Sequence, residues 1–251
     1  KYNPSALSAV IKDAFEFVKE DGTRTLLVME GGRLQKTTGS GTFTQITSGL
    51  TSTENMEFAT ARDRAYLVNG AEAKSTNGTD IRNMGLLPPN ATSMTATPAA
   101  GAGLSVGTYF YAVSFLYDGF QESSISAQTV TATTSGGNLQ VNLASIPTGG
   151  TGVTARKIYR NIVASGSAAS KFLVTTINDN STTTYSDNIA DASLGSEALT
   201  DVLPLLFSGT FILPKYVLYY ANRMWAANIP GGRDQLYASD QLNPDQVREL
   251  N

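Results

Sequence analysis

Ala61-Arg62-Asp63-Arg64-Ala65-Tyr66-Leu67-Val68-Asn69 decides how this 251-residue chain is organised, because it returns in altered form as Tyr220-Ala221-Asn222-Arg223-Met224-Trp225-Ala226-Ala227-Asn228. Both copies run polar, Arg, small or flexible apolar, aromatic, two apolar, Asn. Alternate side chains of an extended strand share a face, so Arg64 with Tyr66, and Arg223 with Trp225, stand together at the start of a strand. The match is short. Its weight comes from position, because the two copies bracket a segment of different texture.

Outward from the first copy, the chain reads as short strands in meander order. Ser5 to Lys19 allows a helical reading, but its second half alternates as Ala-Phe-Glu-Phe-Val-Lys and then meets Asp21-Gly22, a favoured two-residue hairpin turn. Strands are expected at 14–19, 24–29, 33–37 and 42–46, separated by Asp21-Gly22, Gly31-Gly32 and Gly39-Ser40-Gly41. A second set follows at 56–59, 65–69, 72–75 and 79–84, with Asn77-Gly78 as the last hairpin turn. Four-stranded meanders repeating at roughly 40 residues are the sequence sign of propeller blades. The plainer reading is any antiparallel sheet with hairpins.

Pro88-Pro89 closes the second set, and a Thr/Ala/Gly/Ser-rich segment runs from Ala91 to Gly107. Strands rich in β-branched and aromatic residues follow at 108–117, 127–133, 138–143, 155–161, 171–177 and 183–185. In the first of these, Tyr109, Tyr111, Val113, Phe115 and Tyr117 share one face, and Phe110, Ala112, Ser114 and Leu116 the other. Both faces are largely apolar, as in a strand packed inside a sandwich. Six or seven short strands in about 100 residues fit an immunoglobulin- or fibronectin-like sandwich. The expected fold is therefore all-β, with propeller-like four-stranded antiparallel blades over 1–90, an inserted sandwich over 91–200, and a returning blade over 201–251. Three separate modules in a row is the alternative. Two blades before the insert and one after fall short of the four or more that closed propellers use. Further chain or neighbouring subunits are expected to complete the set, since no methionine precedes Lys1 and the chain stops at Leu250-Asn251, soon after a strand.

Composition narrows the chemistry. The chain has no histidine and no cysteine, and a formal net charge of -3. Without imidazoles or thiols there is no Ser-His-Asp triad, no thiolate nucleophile and no ordinary zinc site. No basic face is available to neutralise phosphates, and no apolar run approaches membrane-spanning length. A carboxylate pair is the one catalytic device left open. Asp234, Asp240 and Asp245, near Arg233 and Arg248, are its candidates; turn caps and edge charges explain them equally. Asp179, Asp187 and Asp191, with Asn178, Asn180 and Asn188, form an oxygen-rich stretch that could hold calcium, or simply form turns. Tyr109, Tyr111, Tyr117, Phe120 and the Tyr219-Tyr220 pair could stack on sugars, or fill the core. The glycine pairs (Gly39-Ser40-Gly41, Gly101-Ala102-Gly103, Gly149-Gly150, Gly231-Gly232) open no helix, so they do not read as phosphate cradles. The expectation is a non-enzyme with no catalytic, cofactor or metal residues.

Three patterns in order carry a family resemblance. They are Gly107-Thr108-Tyr109-Phe110-Tyr111-Ala112-Val113-Ser114-Phe115 followed by Asp118-Gly119 and Glu122-Ser123; then Ile146-Pro147 to Val153-Thr154-Ala155-Arg156-Lys157-Ile158-Tyr159-Arg160; then Phe172-Leu173-Val174 to Thr183-Thr184-Tyr185-Ser186-Asp187. This segment resembles the Ig-like or fibronectin-like modules of tailed-bacteriophage tail proteins. Arg223-Met224-Trp225, Asp234-Gln235-Leu236-Tyr237-Ala238-Ser239-Asp240 and Asn243-Pro244 look like a blade of phage tail-tube or nozzle proteins. The resemblance implies a virion structural subunit, made in the host cytoplasm and assembled as a homo-oligomeric ring around a DNA channel. Implied partners are other tail proteins and host-surface glycan, with no sequence-specific nucleic-acid binding. A bacterial surface or secreted carbohydrate-binding protein with a fibronectin-like module is the alternative.

Overall fold

The computed structural model describes residues 7, 9–39, 41–163, 169–200 and 213–247. Strands hold 53% of the chain and helix 2%, so the fold class is all-β. Among the described residues no helix is long and apolar enough to cross a membrane. The chain divides into two compact units, Lys1–Gly85 with Leu205–Leu250, and Leu86–Pro204.

In chain order, the first blade-like sheet is β1 (Ile11–Val18), β2 (Arg24–Glu30), β3 (Arg33–Thr37) and β4 (Thr44–Thr47). The second is β5 (Glu57–Ala61), β6 (Arg64–Val68), β7 (Ala73–Thr76) and β8 (Ile81–Asn83). Next come the strands of the other unit: β9 (Thr95–Ala99), β10 (Gly101–Ala102), β11 (Gly107–Tyr117), β12 (Gln121–Glu122), β13 (Val130–Thr134), β14 (Asn138–Ala144), β15 (Val153–Arg160), β16 (Phe172–Ile177) and β17 (Tyr185–Asp187). The third blade-like sheet is β18 (Tyr216–Tyr220), β19 (Arg223–Ile229), β20 (Gly232–Asp240) and β21 (Asn243–Val247). All three blades are antiparallel meanders in sequence order.

The hairpins explain where strands begin and end. Ala61 pairs with Arg64 across Arg62-Asp63, and Tyr220 pairs with Arg223 across Ala221-Asn222. The two matched stretches therefore occupy the same register, as the first hairpin of their blades. Arg62, Ala221 and Asn222 sit in the left-handed region that tight two-residue turns demand. The first blade departs from expectation. Val18 pairs with Arg24, so Asp21-Gly22 lies in a five-residue connection in which the Asp21 carboxylate accepts the Thr23 N–H. Its tight turn is instead Gly31-Gly32, between the paired residues Glu30 and Arg33.

The second blade is the middle of the first unit, and its two faces serve different neighbours. Phe58, Ala65, Leu67 and Ile81 pack with Phe15, Phe17, Leu27, Met29 and Leu34 of the first blade, where Phe15 and Phe58 stack with ring centroids 5.0 Å apart. The alternate residues Tyr66 and Arg82 face the third blade. Period two thus makes one four-stranded sheet a joint between two others.

In the Leu86–Pro204 unit, β9, β14 and β17 form one sheet, with β14 central and β10 adding a short parallel pair. β13, β11, β15 and β16 form the other, in that order, with β12 on β11. Tyr109, Tyr111, Val113 and Ile158 of the second sheet meet Val141 and Leu143 of the first in one buried cluster, which makes the unit a two-layer sandwich. The Ala91 to Gly107 segment was expected to be strandless, yet it holds β9 and β10. Small polar residues hide an edge strand whose backbone pairing, rather than its side chains, holds it. Gly103 has a packing reason: a Cβ there would fall 1.6 Å from the Asn188 carbonyl oxygen. The ends of this unit lie together, because Leu86 and Leu199 pack against the same Phe115, Tyr117 and Val153.

Candidate functional site: the open face of the third blade

In the third blade, Tyr216 pairs with Ala227, Leu218 with Trp225, Trp225 with Ala238, and Ala227 with Leu236. These residues and Tyr220 therefore share one face. Tyr220 is 68% exposed, Leu218 60%, Leu236 59% and Tyr216 48%. Together with Trp225 and Ala227 they line a shallow trough without a charged side chain. The indole N–H donates to the Tyr220 carbonyl at 3.1 Å, so Trp225 presents its ring as bare apolar surface. These side chains form one contiguous apolar patch on the sheet, which makes it the candidate interaction surface.

The opposite face shows why the strand reads as it does. Val217, Met224 and Ala226 are buried, and Asp245 on β21 is fully buried. Asp245 accepts three hydrogen bonds from the second blade: from the Tyr66 hydroxyl at 2.9 Å, from Arg82 at 2.6 Å and from the Gly85 N–H at 2.9 Å. The Gly70 N–H adds a backbone bond to the Pro214 carbonyl at 3.0 Å. Burial, then the Asp245 charge, hold the Tyr66 hydroxyl well above the usual phenol range, so it stays a donor. A buried carboxylate with one guanidinium and two further donors is matched, and it ties together segments about 160 residues apart.

The other residues singled out in the sequence are dispersed. Asp187 is fully buried and accepts from Arg160 and from the Tyr111 hydroxyl, each at 2.8 Å. Arg160 also pairs with Asp191 and lies 4.8 Å above the Tyr109 ring. Asp179 accepts the Ser181 and Thr182 N–H groups and pairs with Arg156. Those bonds, from Thr182 first, lower its pKa. Asn180 bonds the Gly149 backbone in both directions, and Asn188 lies against Gly103. The oxygen-rich stretch is thus spent on arginines and turns. Arg233 and Asp234 are exposed, Asp240 accepts from Gln246, and Asp245 is the inter-blade anchor; Arg248 lies outside the described residues. Tyr109, Tyr111 and Tyr117 are core, Phe120 and Tyr219 are half-buried, and only Tyr220 of that set reaches the open face. Tyr216, Leu218, Trp225 and Leu236 were not singled out as a surface. The alternation in Tyr216-Val217-Leu218-Tyr219-Tyr220 held the signal, but a strand apolar on both faces reads as core.

The sandwich patterns also acquire physical roles. Glu122 accepts from Ser114 at 2.6 Å, from Tyr159 and from Lys157, and the Ser123 hydroxyl accepts the Phe115 N–H at 3.0 Å. Comparison with known proteins returns no matching family model, no matching curated protein and no matching solved structure.

Proposed function

We propose that this protein is a structural component of a bacteriophage tail, of the nozzle or tail-tube type, which works by assembling into a homo-oligomeric ring and contacting other tail proteins or the host surface. The observation that carries the reading is the open apolar face of Tyr216, Leu218, Tyr220, Trp225 and Leu236 on a rigid blade. Such a face has no use in an isolated soluble chain and a direct use in a subunit interface. The three sequence patterns add the resemblance to phage tail modules, with the sandwich read as Ig- or fibronectin-like and set within the blade unit. Function in this reading is surface packing, and no covalent step is involved.

The exposed aromatics of the trough favour one second reading, a carbohydrate-binding protein. A sugar site, however, needs several polar groups to meet its hydroxyls. Among the described residues that line this trough, the side-chain polar atoms are two tyrosine hydroxyls and an indole N–H already bonded. Negative-stain microscopy of the purified chain tests the choice. Ring-shaped particles are expected; uniform monomers that bind glycans with micromolar-to-millimolar affinity would replace the tail reading with the second one.

A further inference from the structure

A second recess in the blade unit has the opposite character to the trough. Its walls are residues 47–50, which leave the first blade, and β7 and β8 of the second, and its volume is about 360 Å³. That volume falls within the roughly 300–1,000 Å³ of small-molecule sites. The lining is mainly polar, with Glu72, Lys74 and Asn83 contributed by the second blade and Ser48 by the first.

These polar groups are fixed before any ligand arrives. The Ala71 and Glu72 N–H groups donate to the Asn69 carboxamide oxygen at 2.9 and 2.7 Å, which sets the turn that carries Glu72. One Glu72 carboxylate oxygen accepts the Thr51 N–H at 3.1 Å, and the other lies 3.7 Å from the Lys74 ammonium. Lys74 donates to the carboxamide oxygen of its cross-strand partner Asn83 at 2.7 Å. The facing wall is held by the Leu50 N–H, which donates to the Gly32 carbonyl at 3.0 Å. Such bonds orient the groups without exhausting them. The ammonium carries three N–H donors, and the Asn83 amide nitrogen and the Ser48 hydroxyl take no partner among the described residues.

Charge decides the ligand class. Glu72 and Lys74 balance each other, and Arg82, which also lines the recess, is committed to Asp245 at 2.6 Å. An anion would be set against Glu72 and a cation against Lys74, so neither gains. Vicinal hydroxyls can donate to the carboxylate while accepting from the ammonium and the amide. Leu50 and Ile81 offer an apolar patch to the C–H face of a ring. We therefore propose that this recess between the first and second blades binds a neutral sugar through Glu72, Lys74 and Asn83. The inference deepens the host-surface part of the tail reading, on which its use rests, and is independent of the assembly part.

Isothermal titration of the full chain with the methyl glycosides of glucose, galactose, mannose and N-acetylglucosamine tests this, with glucuronate as the anionic control. At least one neutral sugar should bind with a millimolar dissociation constant or tighter, and glucuronate more weakly. Asn83→Ala and Lys74→Ala should each weaken that binding about tenfold, with the thermal unfolding midpoint held near that of the unsubstituted chain. Glu72→Gln, which keeps an oxygen for Thr51, should turn the preference toward glucuronate by leaving Lys74 unbalanced. Binding of none of the neutral sugars, or binding that both alanine changes leave unaltered, overturns the site. A preference of the unsubstituted chain for glucuronate overturns the ligand class. Ring-shaped particles that bind no sugar overturn this inference and leave the assembly reading standing. Uniform monomers that bind through these residues uphold the inference and replace the tail reading with the carbohydrate-binding one.

Discussion

Strands β11 and β18 are near twins in composition and opposites in environment. β11 reads Gly-Thr-Tyr-Phe-Tyr-Ala-Val-Ser-Phe-Leu-Tyr and β18 reads Tyr-Val-Leu-Tyr-Tyr. In β11 the tyrosine row is closed over by the facing sheet, and its hydroxyls are spent on buried partners: Tyr111 on Asp187, Tyr109 on the Ser105 carbonyl, Tyr117 on the Leu87 carbonyl. In β18 the corresponding row of Tyr216, Leu218 and Tyr220 faces water. Aromatic alternation thus marks an apolar row, and leaves open whether the same chain covers it. Where it does, the tyrosines acquire hydrogen bonds that lock the register. Where it does not, the row stays open to water.

Four measurements would break or sharpen this contrast. The largest effect is alkaline unfolding. Burial first, then Asp187 for Tyr111, hydrogen bonding to Glu122 for Tyr159 and the Asp245 charge for Tyr66, raise all three phenol pKa values above 10.0. A folded-state pKa above the unfolded one gives stability that is complete below pH 10 and lost as pH climbs through the folded value. Circular dichroism and tyrosinate absorbance should therefore change together, steeply, above pH 10; gradual ionisation with the fold intact would contradict the burial of these hydroxyls. Next comes Arg160→Ala, which leaves Asp187 buried without its cation and should cost the sandwich about 3–5 kcal/mol in denaturant unfolding.

A smaller loss is expected for Asp245→Asn. It keeps the shape but removes the charge that matches Arg82, and should destabilise the blade unit by about 1–3 kcal/mol while leaving the sandwich transition unmoved. Movement of both transitions would mean that the units unfold as one. The smallest effect belongs to β18: Leu218→Ser, measured dilute enough to keep chains apart, should change folding stability by less than about 0.5 kcal/mol. A cost of several kcal/mol would show that the face is covered within the chain.

Much of the fold was legible because β structure announces itself locally. The two-residue period of 109–117 separates core from outer positions, and Gly31-Gly32 marks a hairpin that only left-handed residues can make. The equivalence of 61–69 and 220–228 was readable from Arg and an aromatic two positions on, since both stretches are first hairpins. Three features were not legible. β9 is made of Thr, Ala and Pro and depends on β14 for its existence. Asp21-Gly22 looked like a tight turn, but its carboxylate bonded Thr23 and lengthened the connection. The open apolar face was hidden because Trp225 is set beside Leu218, and Leu236 beside Ala227, only by cross-strand pairing.

By itself the sequence determined the class of structure and the absence of two reactive groups. Strand-period apolar patterns with glycine turns permit little besides antiparallel sheets, and a chain without imidazoles or thiols cannot use either group in a site. Tertiary structure alone decided which carboxylate anchors and which apolar row stays open. Asp245 is one aspartate among several near the end of the chain until folding brings Tyr66 and Arg82 to it from a different blade. Burial is a property of what lies opposite a strand, and no strand encodes its own opposite face.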